Sequence, residues 1–437
     1  MSSLSRRLTS LLLCAGLGLV AGEPSSKPIL RLETGMHLGG ILSISSDASA
    51  RLALTASDDK TARLWDRATG ELLRTLRPPI GTGGEGRLYG GALSPDGRLA
   101  ALGGYTGYEW DQSISIYLFD TTTGQCSRRI TGIPSIILRL AFTRDGSRLV
   151  ACLAEKGFRV FNLADGQELA RDEAFDGAVA YCDFDGAGRL AVSCADGQIR
   201  LYDPQGRLLA KAQNPGGLKP NGIRFSPDGS RLAVGDREHV KVQVLSVPSL
   251  QALYVADIEG SGGNWGNGTI VAWSHDGETL YAAGGYGGAI DRPVRSWSEG
   301  GRGSAKDKDV GAKSTIMDLD PVGMLWGSSE SAWGRIDRND ARKGSIAIFR
   351  GADLGLDPTG TRVSFPYAPY GPSFTFELAG RRLGPGRAEG LASDRGSSLP
   401  VKYYMGTKTF MLDDHPLLIP AFDQYHNISI SADKARI

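Results

Sequence analysis

One polar motif recurs along this chain of 437 residues and limits what the chain can fold into. Four times a strand-like run ends in a short turn that begins with Ser or Thr and finishes with Asp-Gly, at 94–97, 143–146, 226–229 and 274–277. Asp-Gly suits the backbone conformations of a hairpin turn, and β-rich runs such as LAALGG and LVACLA follow it. The motif therefore predicts a succession of antiparallel hairpins.

A second motif gives the length of the repeating unit. An aromatic or aliphatic residue followed by a small polar one closes the third strand of each unit, at Trp65-Asp66, Phe119-Asp120, Phe161-Asn162, Tyr202-Asp203, Leu245-Ser246, Trp297-Ser298 and, more weakly, Ile336-Asp337 and Phe376-Glu377. Five of the seven intervals are 39 to 43 residues long, and the other two, of 54 and 52 residues, contain insertions. Four-stranded propeller blades have about 40 to 45 residues. Each unit is therefore expected to be one such blade.

The segment 36–76 resembles a WD40 repeat. The residues that carry the resemblance are the first-strand run His37-Leu38-Gly39-Gly40-Ile41, the turn Ser57-Asp58-Asp59-Lys60-Thr61, the pair Trp65-Asp66 and the turn Ala68-Thr69-Gly70. The resemblance covers about residues 28–386, is clear through the sixth unit and is degenerate in the last two. It implies an all-β, WD40-type β-propeller of seven blades, or of eight, with extra partial blades at the C-terminus. A ring of blades buries sheet faces that no single blade can bury alone.

The N-terminus carries an export signal. Arg6 and Arg7 precede an apolar run over 8–20, and the small residue Gly22 follows. This pattern predicts a secretory signal peptide over 1–22 and a periplasmic or extracellular location. No later apolar run reaches the roughly 20 residues of a membrane span, so we expect a soluble, monomeric mature chain. The overall pattern resembles exported bacterial WD40 proteins, some of which carry a caspase-like peptidase domain that is absent here.

The remaining boundaries follow from the repeat. We predict the propeller over 28–345 and a degenerate blade, an irregular stretch and an incomplete blade over 346–437. That last part is either the start of a second propeller in a longer protein, which we favour, or a tail that packs on the ring. The resemblance implies that the strand-like segment 28–34 becomes the outermost strand of the last blade and closes the ring.

A histidine, a serine, an aspartate and a tryptophan in the first unit have a structural interpretation. The resemblance implies a hydrogen-bond network among His37, Ser57, Asp59 and Trp65 that links three strands of one blade. Although these residue types also occur in catalytic triads, buried polar groups of a blade need mutual partners. We therefore expect the network to stabilise the blade. The later units lack the histidine, so packing alone should hold them.

Glycine-rich insertions are the candidate binding elements. By the resemblance, all of them lie in loops on one face of the ring, at 81–86, 103–112, 260–268, 284–293 and 328–334. Tyrosine and tryptophan are common in binding hot spots because they bury much area at low entropic cost. The candidate residues for binding a protein or peptide are Tyr105, Tyr108, Trp110, Asp111, Trp265, Tyr286, Asp291, Arg292 and Trp333. Alternatively, the aromatic rings fold over neighbouring loops and stabilise them.

Composition narrows the function further. The 49 Lys and Arg residues balance 48 Asp and Glu, so no basic field for nucleic acid is indicated. The five histidines are scattered without metal-ligand spacing, no C-x-x-C pair occurs, and no cofactor or metal is indicated. We therefore expect a non-catalytic scaffold of the cell envelope. The alternatives are a propeller enzyme of the lactonase or quinoprotein type and a structural ring that serves a missing effector domain.

Export makes the cysteines relevant, because it places them in a compartment where disulfides can form. Cys182 and Cys194 lie on predicted neighbouring strands. A disulfide between them and two separate buried thiols are both open, and we favour the thiols.

Overall fold

A computed structural model describes residues 37–336, with gaps at 82, 216–218, 240, 257–267, 286–289, 291, 313 and 330. Beyond them it describes only the backbone of short strands between 355 and 417. The described residues form antiparallel sheets, one short helix, α1 (Tyr108–Asp111), and a 3-10 turn at Glu299–Gly301. The segments expected to be the signal peptide (1–22) and the ring-closing strand (28–34) lie outside the described residues.

The first three sheets are four-stranded meanders, here called blades 1 to 3. Blade 1 comprises β1 (Ile41–Ser46), β2 (Leu52–Ser57), β3 (Ala62–Asp66) and β4 (Leu72–Leu76). Blade 2 comprises β5 (Arg87–Leu93), β6 (Leu99–Tyr105), β7 (Ile114–Asp120) and β8 (Cys126–Ile133). Blade 3 comprises β9 (Ile137–Phe142), β10 (Arg148–Leu153), β11 (Phe158–Asn162) and β12 (Glu168–Asp172).

Blades 4 to 6 repeat this plan and blade 7 has three described strands. Blade 4 comprises β13 (Val179–Phe184), β14 (Leu190–Cys194), β15 (Gln198–Tyr202) and β16 (Leu208–Gln213). Blade 5 comprises β17 (Pro220–Phe225), β18 (Arg231–Asp236), β19 (Val242–Ser246) and β20 (Ala252–Val255). Blade 6 comprises β21 (Ile270–Trp273), β22 (Leu280–Ala283), β23 (Val294–Trp297) and β24 (Ala305–Lys308). Blade 7 comprises β25 (Ile316–Asp320), β26 (Leu325–Ser328) and β27 (Trp333–Arg335).

The predicted hairpin turns form as expected between the first and second strands of blades 2, 3, 5 and 6. In blade 2, the Ser94 hydroxyl donates to Asp96 Oδ1 at 2.6 Å, and the same oxygen accepts from the amide of Arg98 at 3.0 Å. Gly97 has φ of +75°, a conformation that costs glycine little. The aspartate thus satisfies backbone groups that the turn leaves without sheet partners, which is why this motif marks the repeat.

The blades form a closed ring of seven. The first strand of each blade packs against the first strand of the next, and β25 of blade 7 packs against β1 of blade 1. Seven clusters of buried apolar side chains among the described residues occupy the seven blade interfaces. The seven-bladed, all-β propeller expected from the repeat is therefore confirmed, and seven blades rather than eight close the ring.

The interface between the last and first blades joins the two ends of the ring. The indole rings of Trp65 and Trp333 lie 5.6 Å apart in its apolar cluster. The Arg67 Nε donates to the carbonyl of Gly323 at 2.6 Å, and the Ser46 hydroxyl donates to Asp320 Oδ2 at 2.7 Å. Closure therefore uses both apolar packing and polar contacts between residues more than 250 positions apart in sequence.

Two further sheets follow the ring in sequence. The backbone forms β28 (Gly355–Leu356), β29 (Arg362–Pro366), β30 (Ser373–Glu377) and β31 (Arg382–Pro385), which is the meander expected for an eighth unit. A three-stranded sheet then comprises β32 (Val401–Tyr404), β33 (Thr409–Leu412) and β34 (His415–Leu417). The sequence indicated an irregular stretch over 386–424, and this sheet departs from that expectation. The strand expected at 427–433 lies outside the described residues.

All four cysteines within the described residues are free thiols. Cys182 pairs in register with Val192, and Cys194 pairs with Val179, so the two cysteines on neighbouring strands are not opposite each other. Cys182 instead lies in the apolar cluster between blades 3 and 4.

Candidate functional site

The histidine network of blade 1 forms with one change of member. His37 Nδ1 lies 2.9 Å from Asp59 Oδ2, and His37 Nε2 lies 2.7 Å from the hydroxyl of Thr55. The same hydroxyl accepts from Trp65 Nε1 at 2.8 Å. The Ser57 hydroxyl accepts from the amide of Asp59 at 3.1 Å and forms no hydrogen bond with either ring. The expectation for Ser57 was therefore wrong, because Thr55 is the residue on that face of β2 within reach of both rings.

Burial and charge suit this network to a structural role. His37 is fully buried, and Asp59 is nearly so. Burial alone would raise the pKa of Asp59, but His37, Arg63 and the hydrogen bonds from His37 and Thr61 outweigh it and hold the pKa below its usual range. The carboxylate also accepts from the amide of Leu38 at 2.9 Å. The network ties the chain before β1 to strands β2 and β3 and leaves no side chain open to a substrate.

The loops between second and third strands lie beside the connections between blades, on one face of the ring. In blade 1, Lys60 Nζ donates to the carbonyl of Gly81 at 3.1 Å. Near blade 7, the amide of Ser329 donates to the carbonyl of Thr315 at 2.9 Å. These contacts join a second-to-third-strand loop to a connection between blades in each case. We call this side of the ring the loop face.

The most elaborate described structure on the loop face is the segment 106–113, here called the blade 2 loop, which contains α1. Glu85, which is fully buried, accepts from the amides of Gly107 at 2.5 Å and Glu109 at 3.2 Å. Burial raises the pKa of Glu85. The two amide hydrogen bonds oppose this increase, and the charge of the neighbouring Glu109 adds to it. The Thr106 hydroxyl donates to the carbonyl of Ser115 at 2.6 Å. The loop is thus anchored to the connection before blade 2 and across its own base.

The blade 2 loop and the last residue of β6 before it contain four of the residues proposed from sequence. The rings of Tyr105 and Tyr108 lie 5.7 Å apart with an angle of 34° between their planes. Tyr108 is 45% exposed, whereas Tyr105 and Trp110 are half-buried. The carboxylate of Asp111 is buried, accepts from Ser115 Oγ at 2.9 Å and lies 3.6 Å from the Arg129 guanidinium. The tyrosine pair therefore lies at the surface, the indole nitrogen of Trp110 is buried, and the carboxylate of Asp111 supports the loop from beneath.

The other proposed residues are placed differently. Trp333 lies in β27, is 1% exposed and packs on Trp65, so the expectation that it belongs to a surface loop was wrong. The sequence around Trp333 fits a blade interface as well as it fits a loop. The pairing of Trp333 with Gly327 of β26 places it in a strand. Arg292 is half-buried in the corresponding loop of blade 6. Trp265, Tyr286 and Asp291 lie outside the described residues.

A polar network that the sequence analysis did not identify occupies the axis of the ring. Arg139 Nη1 on blade 3 lies 2.6 Å from Asp318 Oδ2 on blade 7, although three blade interfaces separate them around the ring. The Tyr181 hydroxyl of blade 4 donates to the carbonyl of Met317 at 2.8 Å. The Arg224 guanidinium of blade 5 donates to the carbonyl of Leu319 at 3.1 Å and lies 4.0 Å from Asp318. We call Arg139, Tyr181, Arg224 and Asp318 the axial network.

The axial network is compact and buried. The Arg139 guanidinium lies 4.6 Å above the centre of the Tyr181 ring, and Asp318 also accepts from the amide of Ile44 on blade 1 at 2.8 Å. Burial raises the pKa of Tyr181, and Asp318 adds to the effect. Burial would lower the pKa of Arg139, but Asp318 holds it above its usual value. The sequence signal was available: an arginine is the only charged residue in each of the first strands ILRLAF and PNGIRF.

Two functional features are absent from the described part of the chain. No group of three or more His, Cys, Asp or Glu side chains there is arranged to hold a metal ion. No helix among those residues has the length and apolar composition needed to cross a membrane.

Comparison with known proteins gives a consistent result. The family model described as "WD domain, G-beta repeat" matches residues 28–66 and 168–203. The WD repeat-containing protein SL1-17 of Schistosoma mansoni is 29% identical over 178 residues, which are 40% of this chain and 54% of that protein. Protein TOPLESS of Arabidopsis thaliana is 26% identical over 219 residues, which cover 48% of this chain and 18% of that protein.

A third relative extends the range of organisms. The periodic tryptophan protein 2 homolog of Dictyostelium discoideum is 24% identical over 239 residues, 48% of this chain and 25% of that protein. The chain thus spans about half the length of the first of these relatives and a quarter or less of the other two.

Proposed function

This chain is a β-propeller of the WD40-repeat type, and we propose that it is a non-catalytic scaffold that binds a protein or peptide partner through the blade 2 loop. The observation that carries the proposal is the pair formed by Tyr108 of that loop and Tyr105, the last residue of β6. Tyr108 is the one large aromatic residue among the strongly exposed apolar side chains of the described residues, and its ring lies against that of Tyr105. Exposed aromatic rings on a fixed support are the usual anchors of a binding interface.

The rigidity of the loop supports a binding role. A partner loses less free energy on binding when the surface it meets is already ordered. Glu85 holds two amides of the loop, and Thr106 and Ser115 close its base through two hydrogen bonds of 2.6 and 2.7 Å. The loop does not need to fold over its neighbours to be stable, so the exposed ring of Tyr108 is available to a partner.

The axial network argues against the alternative of a propeller enzyme. Enzymes with this architecture use ligands that converge on the channel, whereas here the side chains at the axis are engaged with one another. Arg139 and Asp318 are each less than 10% exposed. A substrate would have to break this buried ion pair, and removing one partner of such a pair costs about 3 to 5 kcal/mol. The loop face is the better candidate.

The proposal can be tested by selecting peptides from a displayed random library on the purified chain. Peptides that bind the wild-type chain should lose at least about tenfold in affinity for the double variant Tyr105→Ala, Tyr108→Ala, since two hot-spot rings contribute more than 1.4 kcal/mol together. The matched control is Leu209→Ala, which removes a side chain of similar exposure (48%) from the outer strand of blade 4. Peptides that bind the wild type and the double variant equally, with both chains folded by circular dichroism, would contradict the proposal.

We also propose that the chain is exported. The support is the sequence pattern of Arg6, Arg7 and the apolar run over 8–20, followed by small residues. Expression of the full chain in a bacterial host should give a periplasmic product whose mass shows cleavage near Gly22. A product that retains residues 1–22 in the cytoplasmic fraction would contradict this proposal without affecting the binding proposal.

A further inference from the structure

We propose that the Tyr105–Tyr108 pair receives a basic side chain, a lysine or an arginine, from the partner. This inference rests on the proposed function, because it assigns the chemistry of the partner at the same site. Two features carry it: the geometry of the paired rings and the carboxylates beside them.

The paired rings present a face suited to a cation. Their centroids lie 5.7 Å apart and their planes are tilted by 34°, so the pair is not an edge-to-face contact. The Tyr105 ring rests against the backbone of Gly84, where a Cβ atom would lie 3.6 Å from its Cδ1. Tyr108 is left 45% exposed above it. The negative face of an aromatic ring attracts a lysine or arginine group placed within about 6 Å of its centre.

Charge around the rings favours the same ligand. Glu85 and Glu109 lie close enough to add to burial in raising the pKa of Tyr105. Asp111 is balanced by Arg129, which lies 3.6 Å away. Arg87, which lies opposite Tyr105 in the sheet, is 3.5 Å from Asp58, and Lys60 is 5% exposed with its Nζ donating to the carbonyl of Gly81. Apart from the Asp111–Arg129 and Asp58–Arg87 pairs, the carboxyl groups of Glu85 and Glu109 outnumber the one buried ammonium of Lys60. This excess of acidic groups complements a basic side chain and repels an acidic one.

The anchoring of the blade 2 loop places the carboxylates and the rings in fixed relation. Glu85 binds the amides of Gly107 and Glu109, which flank Tyr108 in sequence. A Cβ atom on Gly81 would collide with the Glu109 carboxylate, so the absence of a side chain at position 81 leaves room for that group beside the rings. The site is therefore formed before any partner binds.

The experiment uses the selected peptides whose binding depends on the two tyrosines. We expect these peptides to share one basic position. Replacing that residue with norleucine, which keeps the aliphatic length and removes the charge, should weaken binding to the wild-type chain by about 2- to 30-fold. Affinities are measured by fluorescence anisotropy with labelled peptides. A second norleucine substitution at a basic residue outside the shared position serves as the peptide control.

Two variants of the chain separate a cation–aromatic contact from simple apolar packing. Tyr108→Phe keeps the ring and should bind the basic peptide within about threefold of the wild type, whereas Tyr108→Leu should abolish the difference between the basic and norleucine peptides. Because Tyr108 is exposed, neither substitution should unfold the chain. Tyrosine-dependent peptides without a shared basic residue, or with unchanged affinity after norleucine replacement, would overturn this inference and leave the proposed function standing. If no selected peptide depends on the tyrosines, both fail.

Discussion

Replacing Asp318 with alanine should destabilise the ring far more than removing a surface carboxylate. Asp318 is fully buried, and its carboxylate accepts from the amide of Ile44 at 2.8 Å and of Leu319 at 2.9 Å. It also neutralises Arg139, whose side chain is only 7% exposed. One side chain thus connects blades 1, 3 and 7 at the axis.

The magnitude follows from what the substitution leaves behind. Removing the buried partner of an arginine lowers the free energy of unfolding by about 3 to 5 kcal/mol, because the arginine charge stays buried without a compensating charge. Each backbone amide that loses its acceptor costs about 1 to 3 kcal/mol. Since the groups share one cavity and relax together, the costs do not add fully. We expect a loss of about 4 to 6 kcal/mol, a large part of the roughly 5 to 15 kcal/mol by which domains are stable.

Urea denaturation, monitored by tryptophan fluorescence, measures this loss of stability. The rings of Trp65 and Trp333 at the closing interface act as reporters. The control is Glu155→Ala, which removes an exposed carboxylate and should change the free energy of unfolding by no more than about 0.5 kcal/mol. If Asp318→Ala does not fold, Asp318→Asn keeps one acceptor oxygen and should retain measurable stability, with a loss of about 3 kcal/mol. Asp318 variants as stable as Glu155→Ala would refute the reasoning.

Three further predictions concern smaller parts of the fold. Thr55→Ala should lower the free energy of unfolding in urea by about 2 to 4 kcal/mol, because it removes the hydroxyl that bonds two buried ring nitrogens, whereas Ser57→Ala should cost about 1 kcal/mol. The turn hydrogen bonds lower the pKa of Asp145 and of Asp228 to about 2, from about 3.9 in an unfolded chain, so unfolding titrations should show stability that is constant above about pH 4 and falls towards pH 2. Replacing both with asparagine should flatten that fall, and an unchanged slope would contradict the assignment. Glu85→Ala should speed amide exchange within the blade 2 loop while leaving the amides of β6 protected.

The repeat was predictable because it depends on local chemistry. The Asp-Gly turns and the residue pairs that close each third strand set the blade boundaries, and the structure has strands where the motifs indicate them. Ser57 and Thr55 show the limit of such reasoning. Both are short hydroxyl residues on the same face of β2, and the choice between them depends on how far the indole of Trp65 reaches along the neighbouring strand.

The axial network was harder to predict because its members come from different blades. Arg139, Arg224 and Asp318 are each a buried charge within the first strand of a blade, which in a single repeat indicates only that the charge needs a partner. Which charges meet depends on the number of blades and on the positions of the strands around the axis. Ring closure in three dimensions, not the pattern of any one repeat, therefore determines the pairs.

The axial network also bears on where a partner can bind. Because it joins blades 1, 3, 4, 5 and 7 through the centre, it opposes rotation of any one of them against its neighbours. Blade 2 lies between blades 1 and 3, both of which the network fixes, and the blade 2 loop is further anchored by Glu85 to the connection that follows blade 1. The tyrosine pair therefore stands on one of the most constrained parts of the ring. A binding surface placed there gains affinity from contacts that need little ordering, while a ligand at the axis would first have to separate buried charges.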